Sequence, residues 1–169
     1  MVGIKSTFDI IMEKTRGMTV SEEEKALMRE RELEGKTRGI FQKYLDGAIS
    51  LARFKEEWDH FGKDREKALP FLKRMCVEKA DPEDENSLVF ALLKEIVGVE
   101  GDRLEHALES ARENLEARRL KLLERARRAL AESGISGSAV QPNLDADPEW
   151  REAVSQVKEK LRTNLLASM

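Results

Sequence analysis

The chain of 169 residues carries 30 Lys plus Arg against 33 Asp plus Glu, and aromatic residues make up only 5% of it, the balance of helices with laced, solvated faces. A net charge of −3 gives no overall field to attract polyanions, so contact with nucleic acid or a membrane surface would need a local basic patch. The one cysteine, Cys76, excludes an internal disulfide and a thiolate metal cluster.

A lone thiol fits a reducing compartment. Lys5, Asp9, Glu13 and Lys14 break up the apolar residues of the Met1–Met18 stretch, which leaves no continuous signal-peptide core. No segment approaches the ~18 uninterrupted apolar residues of a membrane helix. A cytoplasmic protein without a membrane span is expected.

Phe8, Ile11, Met12 and Thr15 recur at helical spacing, and Gly17 offers a stop, so a short first helix is predicted. Ser21 opens a second, with Glu24 three residues on in the capping-box arrangement. It should run to about Leu45 with Leu33, Thr37, Ile40, Phe41 and Tyr44 on one side. Ser50 caps a third, carrying Leu51, Phe54, Trp58 and Phe61, which Gly62 closes. Past Asp64 the helical pattern resumes, and Pro70 predicts a kink or a fresh start before Leu72, Met75 and Cys76. Asp81-Pro82 then reads as a capping carboxylate ahead of a proline at the first helical position, with Leu88, Leu92, Leu93 and Ile96 as the buried face up to Gly98.

The longest element spans residues 102–132, with Leu104, Leu108, Ala111, Leu115, Leu122 and Ala129 in one stripe. At ~46 Å it exceeds a compact domain of this size, whose radius of gyration is ~15 Å. It should protrude or meet a partner. The last helix of the same chain is the expected neighbour, with a homodimeric coiled coil as the alternative. Arg118 and Arg125 at apolar heptad positions argue against a regular zipper. Residues 133–147 form a Gly/Ser/Pro linker along which Ile135, Val140 and Leu144 can pack. Asp147-Pro148 then opens a C-terminal helix with Trp150, Val154, Val157, Leu161 and Leu165. The fold class is therefore all-α, a bundle of about six helices, divided into an N-terminal helical lobe at residues 1–98 and a long helix, linker and C-terminal helix at 99–169, together one folded unit.

Chemical constellations fail on specific missing residues. Gly35-Lys36-Thr37 resembles the end of a phosphate-binding loop, but Glu30 stands where that loop needs glycine and no strand precedes it. Gly35 and Gly39 read better as a close helix crossing. Glu57 and His60 have the Glu-x-x-His spacing of di-iron bundles, yet Arg103 replaces the glutamate before His106, so the second copy is missing. Cys76 lies in an apolar run and reads as a small hydrophobe. No catalytic residue, metal ligand or cofactor is assigned, and an enzyme is not expected.

The strongest local feature is electrostatic. Arg103, Arg118, Lys121, Arg125 and Arg128 project onto one flank of the long helix at 100° per residue. Glu124 and the acid-rich start of the second helix, Glu22, Glu23, Glu24, Glu30, Glu32 and Glu34, are the expected internal counter-charges. The leading functional expectation is a non-enzymatic helical protein–protein interaction protein that contacts an unidentified protein or a second copy of itself through this helix. Nucleic-acid binding through the basic stripe is an alternative, disfavoured because no aromatic platform accompanies it. A metal- or small-molecule-binding bundle using His60 or His106 is the other.

Gly134-Ile135-Ser136-Gly137-Ser138-Ala139-Val140, with Pro142-Asn143 and Ala146-Asp147-Pro148-Glu149-Trp150 after it, resembles the tail of a small bacterial all-helical family of unknown function. The resemblance covers segment 134–150. It implies a bacterial origin and transfers no site residue.

Overall fold

The computed structural model describes residues 21–169, and the helix expected around Phe8–Thr15 lies outside them. The described chain forms α1 (Glu22–Leu45), α2 (Leu51–Asp59), α3 (Arg65–Lys79), α4 (Ser87–Leu92), α5 (Gly101–Glu132) and α6 (Pro148–Ala167), an all-α bundle. No helix in it is long and apolar enough to cross a membrane.

Both halves of the capping box form at the start of α1. Ser21 Oγ accepts from the Glu24 amide at 3.1 Å, and Glu24 Oε2 accepts from the Ser21 amide at 2.9 Å. Two otherwise orphaned donors are thus satisfied. The first turns of α1 are exposed, and burial begins at Thr37, Ile40, Phe41 and Tyr44. Thr37 is fully buried, and its hydroxyl donates to the Leu33 carbonyl at 2.8 Å. The close crossing expected at Gly35 and Gly39 does not occur, because a Cβ at either would meet nothing within 4 Å. At 100° per residue the two glycines fall opposite the buried face, on the solvent side.

Ser50 Oγ caps α2 by accepting from the Arg53 amide at 3.2 Å. Phe54 and Trp58 are buried, with ring centroids 6.1 Å apart, and Tyr44 of α1 meets Phe54 edge-on at 5.6 Å. Each such ring contributes on the order of 1.5–3 kcal/mol by burial. A single tight turn at Gly62–Asp64 leads into α3.

Of the kink or fresh start expected at Pro70, the fresh start does not occur. The α3 helix runs unbroken from Arg65 to Lys79 with Pro70 inside it. The proline removes the bond to the Glu66 carbonyl, and both residues are exposed, so water can serve that carbonyl. Burial of Ala68, Leu72, Met75, Cys76 and Val77 holds the helix together around the defect.

Asp81-Pro82 also departs from expectation, since it opens a turn and not a helix, and α4 begins only at Ser87. The cause is Asn86, which is 4% exposed. Its Oδ1 accepts from the Asp81 amide at 2.9 Å, and its Nδ2 donates to the carbonyls of Asp81 and Asp84 at 2.7 and 2.9 Å. Closing this loop claims the backbone groups a helix would use. Helix α4 therefore buries Val89, Phe90 and Leu92 while Leu88 is exposed. One wider turn at Leu93–Val97 follows, ended by Gly98 at φ 82°.

Helix α5 has 32 residues, or ~48 Å. The C-terminal helix lies along it as expected. The Asp147 carboxylate caps α6 by accepting from the Glu149 amide at 2.8 Å, with Pro148 in the first turn. The pair is antiparallel: Arg125 meets Glu149 at one end, and Ala107 and Ala111 lie by Leu161 at the other. The opposite edge of α6 faces α3, where Arg162 donates to the Glu78 carbonyl at 3.3 Å and Lys73 to that of Met169 at 3.4 Å. Leu144 of the linker is buried but Ile135 is not, and Ala129 is exposed, so the stripe of α5 is buried only as far as Leu122. One continuous apolar cluster extends from Ile40 through Leu165.

Replacing Asn86 by Ala strands the Asp81 amide and two carbonyls, and a stability loss of about 1–3 kcal/mol is expected. Urea unfolding of Asn86→Ala checks it, and an unchanged midpoint would show that the turn forms without this side chain.

Candidate interaction surface

The five basic residues of the α5 flank meet different fates. Arg103 Nε lies 2.8 Å from Glu100 Oε2 at the start of the helix. Arg118 donates to Gln156 Oε1 at 2.8 Å, and Arg125 to Glu149 Oε2 at 2.5 Å, both on α6. Arg128 pairs with Glu124 one turn back. Lys121 borders a shallow hollow of about 310 Å³ with Arg118, Glu149 and Gln156.

The hydrogen bond that Arg125 donates to Glu149, and the negative charge of that carboxylate, raise the pKa of Arg125 further above its ordinary value. All of these groups are solvated, so the pairs contribute little to stability. Their role is to orient side chains.

The acid-rich start of α1 engages its own neighbourhood. Glu22 pairs with Lys25 at 2.7 Å and Glu32 with Lys36 at 2.8 Å, while Glu34 meets Arg38 at 3.1 Å and Arg74 of α3 at 2.7 Å. Of the counter-charges expected for the stripe, Glu124 takes that role. The others that act on it are Glu100 at the start of α5, and Glu149, Asp147 and the neutral Gln156 from the C-terminal helix and its cap.

The last buried residue of α5 is Leu122. From there to Glu132 the helix continues for ten more residues, ~15 Å. Arg125, Arg127 and Arg128 are exposed along this arm, Leu123 and Leu130 are half-buried, and Leu120 just before it is 57% exposed. Gly134 at φ 79° ends the arm, with the Ile135 amide donating to the Leu130 carbonyl at 2.9 Å. This left-handed cap satisfies the end of the helix without a packing partner.

Chemistry elsewhere is constrained by position. Cys76 is fully buried, and desolvation pushes its thiol up to about 12, so the thiolate needed for nucleophilic attack is scarce near neutral pH. His60 ends α2, with Nδ1 2.6 Å from the Glu56 carbonyl, and Glu57 is 3.4 Å from Arg53. Among the described residues no three His, Cys, Asp or Glu side chains are grouped to hold a metal ion. Thr37, the end of the Gly-Lys-Thr string, lies mid-helix in the core.

A cleft of about 590 Å³ between the 81–86 turn, α5 and the linker has Leu115, Leu123 and Trp150 on its walls and Arg112 and Arg119 at its rim. The Arg112 guanidinium is engaged, donating to the carbonyls of Pro82 and Asp84 at 3.1 and 3.3 Å. These contacts were not legible in the sequence, since the partners lie far apart along the chain and share no local spacing.

The same holds for Lys158 on α6. Its ammonium is 2.6 Å from Asp81 and 3.4 Å from Glu83. The hydrogen bond to Asp81 raises its pKa, with desolvation opposing and the two carboxylate charges adding to the rise. A lysine raised in the folded state contributes stability that is fully present below its unfolded value and is lost as pH rises through the folded one. The urea midpoint is expected to fall above about pH 10.4, and Lys158→Met to remove part of that fall; superimposable alkaline profiles for the two proteins would contradict the pairing.

No family model matches the chain, and no curated protein or solved structure shows significant similarity to it.

Proposed function

We propose that the chain is a non-enzymatic helical interaction protein of the cytoplasm, with the distal arm of α5 as its contact surface and an acidic protein as its partner. The observation that carries this reading is the arm itself, ten residues of helix past the last buried side chain, bearing arginines beside half-buried leucines. A helix polar on nearly all sides gains little from its own packing, whereas a partner would cover the exposed leucine and find oriented cations around it.

An acidic protein fits better than a phosphate backbone. Arg118 and Arg125 are held against α6, and Arg128 against Glu124, so the basic residues do not point outward together as a phosphate-tracking row would. Burial of the Cys76 thiol supports the non-enzymatic part of the reading.

The test is affinity capture from lysate at low salt with the wild-type chain and with variants along α5. Arg127→Glu combined with Arg128→Glu should reduce capture of the partner by about tenfold, the effect of ~1.4 kcal/mol at a contact. Arg103→Glu, at the far end of the same helix, should leave it unchanged. Equal loss from all variants, or none, would contradict a contact on the distal arm.

A further inference from the structure

The cleft beside the linker and the distal arm of α5 are joined along one face of that helix. At 100° per residue, Glu116, Arg119, Arg127 and Leu130 all fall within about 40° of Leu123. Glu116, Arg119 and Leu123 line the cleft, and Arg127 and Leu130 carry the same face past the last buried residue of the helix. We propose that cleft and face form one docking track for an extended segment of the acidic partner, with a large apolar side chain seated in the cleft and a nearby carboxylate meeting Arg127. This seating rests on the reading of the distal arm as the contact surface, and it specifies what the partner presents there.

Shape and charge divide the track into two parts. The cleft, of about 590 Å³, falls in the ~300–1,000 Å³ range of sites that enclose a drug-sized ligand, which is ample for one aromatic or aliphatic side chain. Leu115, Leu144 and Trp150 give it buried apolar walls, and the half-buried Leu123 adds to them. Its charges are mixed. Arg112 is committed to the Pro82 and Asp84 carbonyls, Glu83 lies 3.4 Å from Lys158, Arg119 and Glu116 are 3.8 Å apart, and Asp145 is exposed. A carboxylate over the cleft would meet Glu83, Glu116 and Asp145, so an uncharged anchor fits it best.

The arm differs. Of its two glutamates, Glu124 engages Arg128, and Glu132 is the last residue of the helix. Residues 133–144 of the linker carry no charge. Arg127 is exposed and pairs with no carboxylate among the described residues, which leaves it open to one from a partner. From Leu123 to Arg127 the helix advances ~6 Å, and an extended chain covers that in about two residues at ~3.3 Å each. A side chain enclosed in a pocket of this kind carries a large share of the binding energy, and the charged contact beside it fixes the register.

Selection of phage-displayed random peptides against the full chain tests the track, followed by fluorescence titration with a synthetic peptide of the enriched sequence. Enriched peptides should pair a large apolar residue with Asp or Glu about two positions away. In the Trp58→Phe chain Trp150 is the sole tryptophan, and binding should shift its emission. Serine in place of the peptide's apolar residue should weaken binding at least about tenfold. Arg127→Glu should weaken the acidic peptide about tenfold and leave its Asn or Gln counterpart unchanged. Acidic peptides without a large apolar residue, or Trp150 emission unmoved by binding, would overturn the seating and leave the arm as the contact surface. Enrichment of peptides without acidic residues would overturn both, and no enrichment over the uncoated support would overturn the seating.

Discussion

The architecture depends on the burial of one face of α6. Trp150, Ala153, Val157, Leu161 and Leu165 are all buried, and Leu161 and Leu165 are almost completely so. A stripe of this kind contributes several kcal/mol through removal of apolar area from water, far more than the solvated ion pairs around it. Helix α6 lies along α5 and also reaches α3 through Arg162, with Lys73 of α3 donating to Met169 just past its end, so the helix that completes the second half of the chain is also one of its bonds to the first.

Consequences for α5 follow from the unequal lengths of the pair. Helix α6 has 20 residues and α5 has 32, and the cap of α6 is already level with Arg125. The remainder of α5 extends past its partner and is closed by a glycine cap instead of by packing. Arg118 and Arg125 serve the hairpin, while beyond them Arg127 and Arg128 face water and Leu130 is half-buried. The same flank is thus divided into a part held against α6 and a part beyond it.

Local signals in the sequence were reliable where the physics is local. The Ser21 capping box, the Ser50 cap and the Asp147-Pro148 start depend on residues within three positions of each other, and all three form. Asp81-Pro82 carries the same local pattern as Asp147-Pro148 and yet makes a turn, because the Asn86 side chain competes for the backbone. At Pro70 the fresh start does not occur, since tertiary burial on both sides outweighs one missing hydrogen bond on an exposed face. At Gly35 and Gly39 the spacing was right and the face was wrong. The candidate surface was legible as a list of cations on one helical flank, as was the local counter-charge Glu124, but the partners on α6 were not: Glu149 and Gln156 are distant in sequence, and only the folded hairpin brings them to Arg125 and Arg118.

The two tryptophans allow the role of α6 to be measured directly, because Trp58 lies in α2 and Trp150 in α6. In Trp150→Phe the fluorescence reports only the N-terminal half, and in Trp58→Phe only the C-terminal helix. Each variant is followed through urea unfolding by fluorescence and by circular dichroism of the whole chain. If α6 joins the halves into one cooperative unit, the two signals coincide in midpoint and slope within each variant. Fluorescence that separates from circular dichroism in either variant would show that the halves unfold independently and that α6 does not unite them.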